Sequence, residues 1–561
     1  MSTPREKWGS KLGFILAASG SAVGIGNIWK YPHMAGQNGG AAFTLIYLIC
    51  IFVVGLSIVV GEFALGRKTQ LSPVGAYLTI APKSLWKWVG FLGVASAYVI
   101  LSFYGVVGGW IMRYAFISLI GGFSPLQPGV EVSFPANTVI DSNESFTITK
   151  FELLNNDQNT FQFSGDMVSV NESILVQDTT HNLVSLDSLS IIINNVTYSK
   201  SEEGKILGYE KIEFYNSSDN SVNLSGNVLK SNADAAGNEF DSFTANTWNP
   251  IFWQLLFMFI CIYVIINGVK GGIEKWSKIM MPTIIIILVV LAIRGLSLPN
   301  GLTGLTFLFK PKFGDLSATA IVLALGHSFF TLSLGMGTMI TYGSYLKKNE
   351  NLLSSALWVI GLDTIIALIA GVAIFSTVFA LGADPAEGAG LIFVVLPSVF
   401  PEMPGGQIWG TLFFLILFMA ALTSAISILE VVTAYFIDQK GWSRSRATII
   451  FGGTITIVGV FCSLSLGDNL NITWFLDMSF FDFMDYLSSK YMLPIGGMLM
   501  AIFILKTWTV DEFLREVHVG MNSKKISTQL ITILLSIGAL VIAFIILNEV
   551  VEKLFGLPII G

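Results

Sequence analysis

The sequence predicts an all-α polytopic membrane protein with eleven transmembrane helices and a β-rich extracellular insert between the third and the fourth. Of the 561 residues, 53% are hydrophobic and only 12% are charged, and the mean hydropathy is +0.69. A soluble domain carries about 25% charged residues, so this composition excludes a soluble globular protein. Apolar runs long enough to cross a bilayer lie at about 11–36, 41–66, 88–122, 250–268, 277–296, 317–345, 353–382, 407–437, 446–465, 482–506 and 527–550.

Basic residues cluster in alternate short loops, for example at Arg67/Lys68 and Lys347/Lys348. Loops of this kind face the cytoplasm in membrane proteins. We therefore expect a multi-pass protein of the plasma membrane with a cytoplasmic N-terminus, and eleven spans then place Gly561 outside. The net charge of −6 gives no indication of nucleic acid binding, because the acidic residues are concentrated in one insert.

The segment 124–248 interrupts the apolar pattern. It is rich in Asn and Ser, contains no arginine, and alternates apolar and polar residues in stretches such as Ser188–Tyr198. Alternation with a period of two predicts strands. Five N-x-S/T sequons begin at Asn143, Asn171, Asn195, Asn216 and Asn223, although chance supplies such triplets in a segment of this composition. The predicted division of the chain is 1–123, 124–248, 249–296, 297–506 and 507–561, with the last part holding a cytoplasmic loop and the eleventh span.

The first apolar run contains three glycines and an asparagine within the octet Gly20–Asn27. Each glycine costs a helix about 1 kcal/mol relative to alanine, and lipid offers no water to the backbone groups of a broken helix. A second run of this kind is Phe329–Gly337. Paired interruptions indicate a transporter binding site, here for an ion and a small charged solute. The alternative is that the small residues only let neighbouring helices approach closely.

These motifs, taken together, resemble those of the neurotransmitter:sodium symporter family, in the prokaryotic eleven-helix branch that includes leucine, tryptophan and multi-hydrophobic amino-acid transporters. The resemblance implies two inverted five-helix repeats, spans 1–5 and 6–10, in which helices 1 and 6 are broken and span 11 is an addition. The motifs are Arg5–Trp8, Gly20–Asn27, Trp29–Pro32, Asn38–Gly40, Gly61–Arg67, Phe329–Gly337, Ile340–Tyr345 and Leu422–Ser424.

The resemblance also implies two sodium sites and no organic cofactor. Without the resemblance, the Thr-Ser pair of one site would be interpreted as two hydroxyl groups that each bond back to their own helical turn. The family match overrides that interpretation. That site is implied to consist of the Gly20, Val23 and Ala420 carbonyls with the Thr423 and Ser424 hydroxyls. The other is implied to consist of the Ala22 carbonyl, Asn27, Thr331 and Asp363, completed by the substrate carboxylate.

Asp363 departs from the family pattern, since many members carry asparagine there. A carboxylate inside a span costs about 2.5–3.5 kcal/mol by insertion scales, so we expect it to face a cation. Chloride-dependent members have a serine where this chain has Ala367. Asp363 is therefore predicted to supply the compensating negative charge and to make transport chloride-independent. The alternative is a buried, protonated aspartate that is hydrogen-bonded to backbone.

The substrate pocket follows from the same resemblance. N–H groups of the opened octet, at the positive end of a half-helix, and the Tyr104 hydroxyl are expected to meet the substrate carboxylate. Monoamine transporters have an aspartate where this chain has Gly24, so a zwitterionic amino acid is expected. Met336 replaces a bulky aromatic residue, and its flexibility favours a larger or more varied hydrophobic substrate. The substrate-binding residues implied are Ser21, Ala22, Ile25, Gly26, Ile100, Tyr104, Phe330, Thr331, Ser333, Met336, Ser424 and Ile428.

Gate residues are expected on both sides of this pocket. Outside, Lys30 and Asp485 match a basic–acidic pair, with Phe330 as a lid. His327 replaces a common glutamine and would make the gate sensitive to pH if it became cationic; the alternative is a neutral packing residue. Inside, Arg5 and Asp438 match the cytoplasmic latch, whereas Glu62 is expected to bind the backbone of a broken helix.

The function predicted from this sequence is sodium-coupled import of a hydrophobic or aromatic L-amino acid by alternating access. Its expected partners are the amino acid, sodium ions and the lipid bilayer. One alternative is a sodium symporter for GABA, betaine or another solute that is not an α-amino acid. Another is a transporter-like receptor that binds through the 124–248 insert. An enzyme is not expected, because the sequence contains no nucleophile motif and its four histidines are scattered.

Overall fold

A computed structural model describes residues 5–122, 232–311, 313–380, 391–400, 403–466, 478–521 and 526–555, together with short strands between 130 and 230. The chain divides into two compact units. The first comprises residues 1–120, 241–392 and 407–561, and the second comprises 121–240 and 393–406.

The helices are α1 Lys11–Ala22, α2 Tyr31–Gln37, α3 Ala41–Cys50, α4 Leu56–Thr69, α5 Pro73–Ile80, α6 Lys87–Leu119, α7 Asn232–Ala245, α8 Trp248–Ile266, α9 Lys275–Leu296, α10 Gly301–Phe309, α11 Ala318–Thr331, α12 Thr338–Ser344, α13 Leu352–Ala380, α14 Leu396–Val399, α15 Gly406–Lys440, α16 Arg444–Leu464, α17 Phe480–Tyr486, α18 Leu493–Phe503, α19 Val510–Val517 and α20 Thr528–Phe555. Stretches of π-helix lie at Gly26–Lys30, Ile51–Gly55, Val269–Glu274, Leu391–Val395, Leu487–Met492 and Ile504–Trp508, and a 3₁₀ turn lies at Phe313–Asp315.

Within the described part of the chain, nine helices are long and apolar enough to cross a membrane. A tenth arises if the bent pair Lys11–Ala22 and Gly26–Gln37 counts as one span; its halves meet at an angle of 51°. The prediction of a helical, polytopic membrane protein is therefore confirmed. The span at Thr528–Val551 is the most lipid-exposed, because only 17% of its apolar window is buried inside the protein.

The predicted run 317–345 forms two short helices, α11 and α12, with a break after Thr331 inside the segment Phe329–Gly337. Between them Ser333, Gly335 and Gly337 have φ angles of +52°, +79° and +78°. A Cβ atom on Gly335 would lie 2.2 Å from the Leu493 carbonyl oxygen. A side chain is therefore excluded at that position both by space and by the backbone conformation.

Glycines also permit close contact between helices around this break. A Cβ atom on Gly66 of α4 would lie 2.0 Å from the Ile340 carbonyl oxygen of α12, along which α4 packs. A Cβ atom on Gly304 of α10 would lie 2.4 Å from the backbone of Phe375 in α13. Small residues at such crossings let membrane helices approach closely, as α4 approaches α12 and α10 approaches α13 here.

Strands between 130 and 230 pair in antiparallel fashion, as at Ile212↔Ile193, into sheets of order β1-β14-β3-β11-β10, β2-β12-β9, β13-β4-β5 and β6-β7-β8. The end of the 124–248 segment is helical over α7, which its alternating pattern did not predict. Whether this segment forms a β-rich extracellular domain stays a prediction, and the five sequon asparagines stay untested. The strands are β1 Val130–Glu131, β2 Val139–Asp141, β3 Phe146–Ile148, β4 Phe151–Leu154, β5 Thr160–Phe163, β6 Met167–Val170, β7 Ser173–Gln177, β8 Leu183–Ser185, β9 Leu189–Asn194, β10 Thr197–Ser201, β11 Gly204–Gly208, β12 Lys211–Asn216, β13 Asn223–Ser225 and β14 Asn227–Lys230.

Candidate functional site

The first span breaks where the octet meets two other helices. Helix α1 ends at Ala22, and the N–H of the next residue, Val23, donates to the Ser19 carbonyl at 2.6 Å. A Cβ atom on Gly24 would lie 2.5 Å from Ser424 Oγ and 3.2 Å from the Tyr104 hydroxyl oxygen. The break is therefore held in place by packing as well as by the low helix propensity of glycine.

A buried polar cluster, formed by Asn27, Thr331 and Asp363, joins the two interrupted segments to α13. Asn27 Nδ2 donates to Asp363 Oδ1 at 2.8 Å and to the Asp363 carbonyl at 3.1 Å. The Thr331 hydroxyl lies 3.0 Å from Asn27 Oδ1 and 3.1 Å from Asp363 Oδ1. All three side chains are at most 1% exposed. The family resemblance implied one site for these three residues, and the structure brings them into direct contact.

The second carboxylate oxygen of Asp363, Oδ2, is buried and has no hydrogen-bond partner among the described residues. A buried charged oxygen without a partner is strongly unfavourable. A hard cation is the chemical partner that such oxygen atoms prefer. The donor set of this cluster, which consists of carboxylate, amide and hydroxyl oxygens, therefore fits sodium.

A second polar cluster lies where α15 meets the end of α1. The Ser424 hydroxyl donates to the carbonyls of Ser21 at 3.2 Å and Gly20 at 3.5 Å. The Thr423 hydroxyl instead bonds back to its own turn, at 3.0 Å from the Ala420 carbonyl. Thr423 thus has the local bond that is common for threonine in membrane helices, and Ser424 faces the broken helix. Ala22 and Val23 are buried beside them.

The expected pocket walls lie inside the bundle. Tyr104 is buried, and its hydroxyl accepts a hydrogen bond of 3.5 Å from the Ile25 N–H at the break. Gly26 faces the Phe330 ring, 3.3 Å from where its Cβ atom would be. Ile100, Met336 and Ile428 are each at most 3% exposed. The walls are therefore apolar, with hydroxyl groups at the broken ends.

Three serines meet at this place, and one of them was not predicted. Ser21 Oγ lies 2.7 Å from Ser427 Oγ and 3.4 Å from Ser333 Oγ, and the Ser333 hydroxyl donates to the Ser21 carbonyl at 2.9 Å. Sequence reasoning missed Ser427. Its position one turn after Ser424, on the same face of α15, is the signal that could have found it.

Glu62 contacts the second interrupted segment. Its Oε1 accepts a hydrogen bond of 2.8 Å from the Gly335 N–H, in the turn between α11 and α12. The sequence interpretation that Glu62 binds the backbone of a broken helix agrees with this contact.

At one end of the site, Lys30 and Asp485 form an ion pair of 3.4 Å, and Lys30 Nζ also lies 4.2 Å above the Phe330 ring. The Ser489 hydroxyl donates to Asp485 Oδ1 at 2.8 Å. The pair is partly exposed, with 25% and 36% of the two side chains accessible. Such pairs contribute about 0–1 kcal/mol, so this contact is weak.

His327 lies inside the bundle. It is 2% exposed, and its ring centroid lies 5.2 Å from that of Tyr47 and 6.4 Å from that of Tyr31. This environment favours the neutral packing residue over a cationic gate group, because burial penalises a charge.

At the other end of the site, Arg5 forms an ion pair with Asp438 and donates to Ser344 Oγ at 2.5 Å. Asp438 Oδ2 also accepts a 2.6 Å bond from the Ser72 N–H. The indole N–H of Trp8 donates to the Tyr342 carbonyl at 3.0 Å. The N-terminal segment is thereby tied across these ends of α12 and α15.

A second ion pair at this end of the site was missed. Arg444 Nη1 and Nη2 lie 2.6 Å and 3.1 Å from the carboxylate oxygens of Glu430, which also accepts a hydrogen bond from the Tyr345 hydroxyl. Arg444 additionally bonds Glu6 at 2.9 Å. An acidic residue within a predicted span, such as Glu430, is a signal for a partner of this kind.

Taken together, this geometry defines a class of membrane protein. Two interrupted helices meet at buried oxygen atoms among buried apolar side chains, and ion pairs lie on both sides. That combination is typical of secondary transporters.

The chain matches the model of the sodium:neurotransmitter symporter family over residues 5–174 and 226–555, and it belongs to this family. The family consists of sodium-coupled transporters and not of enzymes. The chain is 32% identical to an uncharacterized sodium-dependent transporter of Bacillus subtilis over 92% of both chains. It is 26% identical to a sodium- and chloride-dependent GABA transporter of Drosophila melanogaster, over 79% of this chain and 40% of that protein.

The crystal structure of MhsT in complex with L-phenylalanine is similar to this chain, with a TM-score of 0.72 and 36% sequence identity. The match covers 97% of this chain and 99% of MhsT.

Proposed function

We propose that this protein is a symporter that uses the sodium gradient to import a hydrophobic or aromatic L-amino acid by alternating access. The observation that carries the proposal is the Asn27–Thr331–Asp363 cluster, where a carboxylate oxygen without a partner lies at the junction of two interrupted helices. Binding of sodium there would neutralise the carboxylate. A substrate carboxylate could then lie against the same ion.

Two sodium sites are part of this proposal. One uses the Ala22 carbonyl, Asn27, Thr331 and Asp363. The other uses the oxygens where α15 meets the end of α1. For the second, the Thr423 hydroxyl would exchange its bond to the Ala420 carbonyl for the ion. Its ligands are the Gly20, Val23 and Ala420 carbonyls and the Thr423 and Ser424 hydroxyls.

The substrate class is inferred from the pocket. Gly24 leaves no side-chain carboxylate for a separate amine, and the apolar walls at Ile25, Ile100 and Ile428 limit the length of the ligand. MhsT was crystallised with L-phenylalanine, which supports an aromatic or large apolar side chain. GABA and betaine fit this pocket less well because they lack such a side chain.

Chloride independence is also proposed. Asp363 supplies a fixed negative charge beside the sodium ligands, and Ala367, which is fully buried, offers no hydroxyl group to hold an anion. The chain differs from the chloride-dependent members of the family because those members have a serine at the position of Ala367.

The membrane topology is proposed to comprise eleven spans. The short pair α11–α12 serves as an interrupted sixth span, beside the nine long helices and the bent first span. Spans 1–5 and 6–10 then form the two inverted repeats, with α20 as the eleventh. The N-terminus is cytoplasmic and the C-terminus extracellular, in the plasma membrane.

Transport is proposed to alternate between opening of the Lys30–Asp485 contact outside and of the Arg5–Asp438 and Arg444–Glu430 contacts inside. All three of these ion pairs are formed in this structure, which supports an occluded stage in the proposed cycle.

The test is uptake of radiolabelled solutes into proteoliposomes, with a panel of L-amino acids, GABA and betaine. Uptake of large apolar amino acids should require sodium rather than choline outside and should persist when gluconate replaces chloride. Preference for GABA or betaine would establish the alternative solute class. Binding without sodium-dependent uptake would instead favour a receptor that uses the 124–248 insert.

A further inference from the structure

We propose that Ser427 is a positioning residue of the substrate site, and that it acts through Ser21 to hold Ser333 and the end of α1 against α15. The inference rests on the proposed function, since it concerns the same pocket. It adds a residue for which the family resemblance and the motifs supplied no role.

The contact is built from buried groups on three elements. Ser21 lies in the last turn of α1, Ser333 in the turn between α11 and α12, and Ser427 on α15, with exposures of 2%, 4% and 0%. Ser21 and Ser333 belong to the two interrupted helices. The 2.7 Å contact between Ser21 Oγ and Ser427 Oγ therefore joins the interrupted pair to a continuous helix.

The direction of each hydrogen bond follows from the number of protons. Each serine hydroxyl has one proton. That of Ser427 goes to the Ser424 carbonyl at 2.7 Å, and that of Ser333 goes to the Ser21 carbonyl at 2.9 Å. Ser427 Oγ, at 2.7 Å, is then the nearest acceptor for the Ser21 hydroxyl, and Ser333 Oγ, at 3.4 Å, is the more distant one. Ser427 thus provides the acceptor that connects Ser21 to α15.

Ser333 needs this support because its φ angle is +52°. Residues other than glycine adopt this left-handed conformation rarely and at an energetic cost. The hydroxyl bond to the Ser21 carbonyl stabilises the turn, and that carbonyl is oriented in turn by the Ser21–Ser427 contact. The turn carries Phe330 and Met336 at its two sides, so its position sets the pocket.

Alternating access requires one group of helices to move relative to another. If the interrupted pair moves away from α15, the Ser21–Ser427 bond must break. Loss of this bond should therefore destabilise the closed, substrate-bound state, and it should not lower the maximal transport rate. The expected signature is a raised KM with an unchanged or increased maximal rate.

The experiment compares S427A, S21A and the double variant with S96A. Ser96 is a buried serine of α6 that bonds back to the Leu92 carbonyl at 2.7 Å, so it is a matched control. We expect KM to rise about 3- to 10-fold in S427A, as for one lost hydrogen bond. Because the two hydroxyl groups act through one contact, the KM of the double variant should not exceed the higher of the two single-variant KM values. The KM of S96A should equal that of the wild type.

Hydrogen exchange over residues 329–337 in the absence of substrate gives a second readout. Exchange should accelerate in S427A and not in S96A, whatever the substrate is. If S427A does not fold, S427C keeps the size of the side chain with a weaker acceptor and should show the same changes.

The role of Ser427 would be overturned if the KM increases of the two single variants multiplied in the double variant. It would also be overturned if S427A and S96A had the same KM and the same hydrogen-exchange rates. Failure of the proposed function is recognised separately, because wild-type protein would then show no sodium-dependent amino-acid uptake.

Discussion

At the residue scale, Asp363 combines full burial with a carboxylate oxygen that has no partner among the described residues. Its other oxygen is held by Asn27 and Thr331, so the side chain is fixed in orientation. A fixed, buried carboxylate with hydrogen bonds to only one of its two oxygens is well suited to bind and release an ion.

We expect Asp363→Asn to raise the sodium concentration for half-maximal uptake at least 10-fold, because an amide keeps the shape and removes the charge. The measurement is sodium-dependent uptake with and without chloride. Adding Ala367→Ser to this variant should create chloride dependence. Unchanged sodium affinity in Asp363→Asn would contradict the proposed role of the carboxylate.

The second proposed sodium site is tested by Thr423→Ala. Removing one ligand oxygen should weaken sodium dependence several-fold, and Ser424→Ala should add to the loss. Thr433→Ala is the control, since Thr433 is a buried threonine of the same helix that contacts Thr448 at 3.4 Å, away from the site. Full sodium affinity in the Thr423/Ser424 double variant would refute the assignment.

At the scale of elements, the two interruptions have different physical causes. The first places glycines where Ser424, Tyr104 and Phe330 come close. The second needs a left-handed backbone at Ser333 and at two glycines. Each break is thus fixed by several contacts with neighbouring residues. A membrane protein can keep an irregular backbone within the bilayer only where such contacts surround it.

Gly24→Ala should lower substrate affinity more than 10-fold, because the added Cβ would lie 2.5 Å from Ser424 Oγ. Substrate binding in detergent is the measurement, with melting temperature as the control for folding. Gly361→Ala in α13 is the matched variant, since its Cβ would meet nothing within 4 Å. An alanine also suits a helix better than glycine, so that variant should bind normally and be slightly more stable.

At the scale of the whole molecule, more ion pairs lie at the proposed inner gate than at the proposed outer gate among the described residues. Arg5–Asp438 and Arg444–Glu430 are largely buried, whereas Lys30–Asp485 is partly exposed. Breaking a buried pair costs about 3–5 kcal/mol and an exposed one about 0–1 kcal/mol. The outer side should therefore open more easily than the inner side.

Glu430→Gln should shift the protein toward inward-facing states, because Arg444 and Tyr345 lose their common partner. Efflux from preloaded proteoliposomes should become several-fold faster. Glu512→Gln serves as the control, since Glu512 pairs with the exposed Arg515 on a short helix. Equal efflux in both variants would show that the Arg444–Glu430 pair does not hold the inner side closed.

Replacing residues 130–230 by a flexible linker should leave sodium-driven uptake within about twofold of the wild type. The proposed ligands and gates all lie outside this segment. Uptake and substrate affinity of the correctly folded deletion variant are the measurements. Loss of binding in that variant would show that the segment contributes to the site.

The sequence alone predicted the class and the two interruptions. These follow from local causes: apolar run length sets spans, glycines within them mark breaks, and a carboxylate in a span requires a partner. The family resemblance then connected positions as distant as Asn27, Thr331 and Asp363, which spacing cannot do.

Only the tertiary structure decided which groups meet. The Ser21–Ser427 contact joins residues 406 positions apart. Arg444, at the start of α16, forms an ion pair with Glu430 of α15. His327 could have been a gate or a packing residue by its type, and its burial against Tyr47 favours packing. Such outcomes depend on how helices pack, because a side chain's partner and its access to water are properties of several segments at once and are not encoded by any one of them.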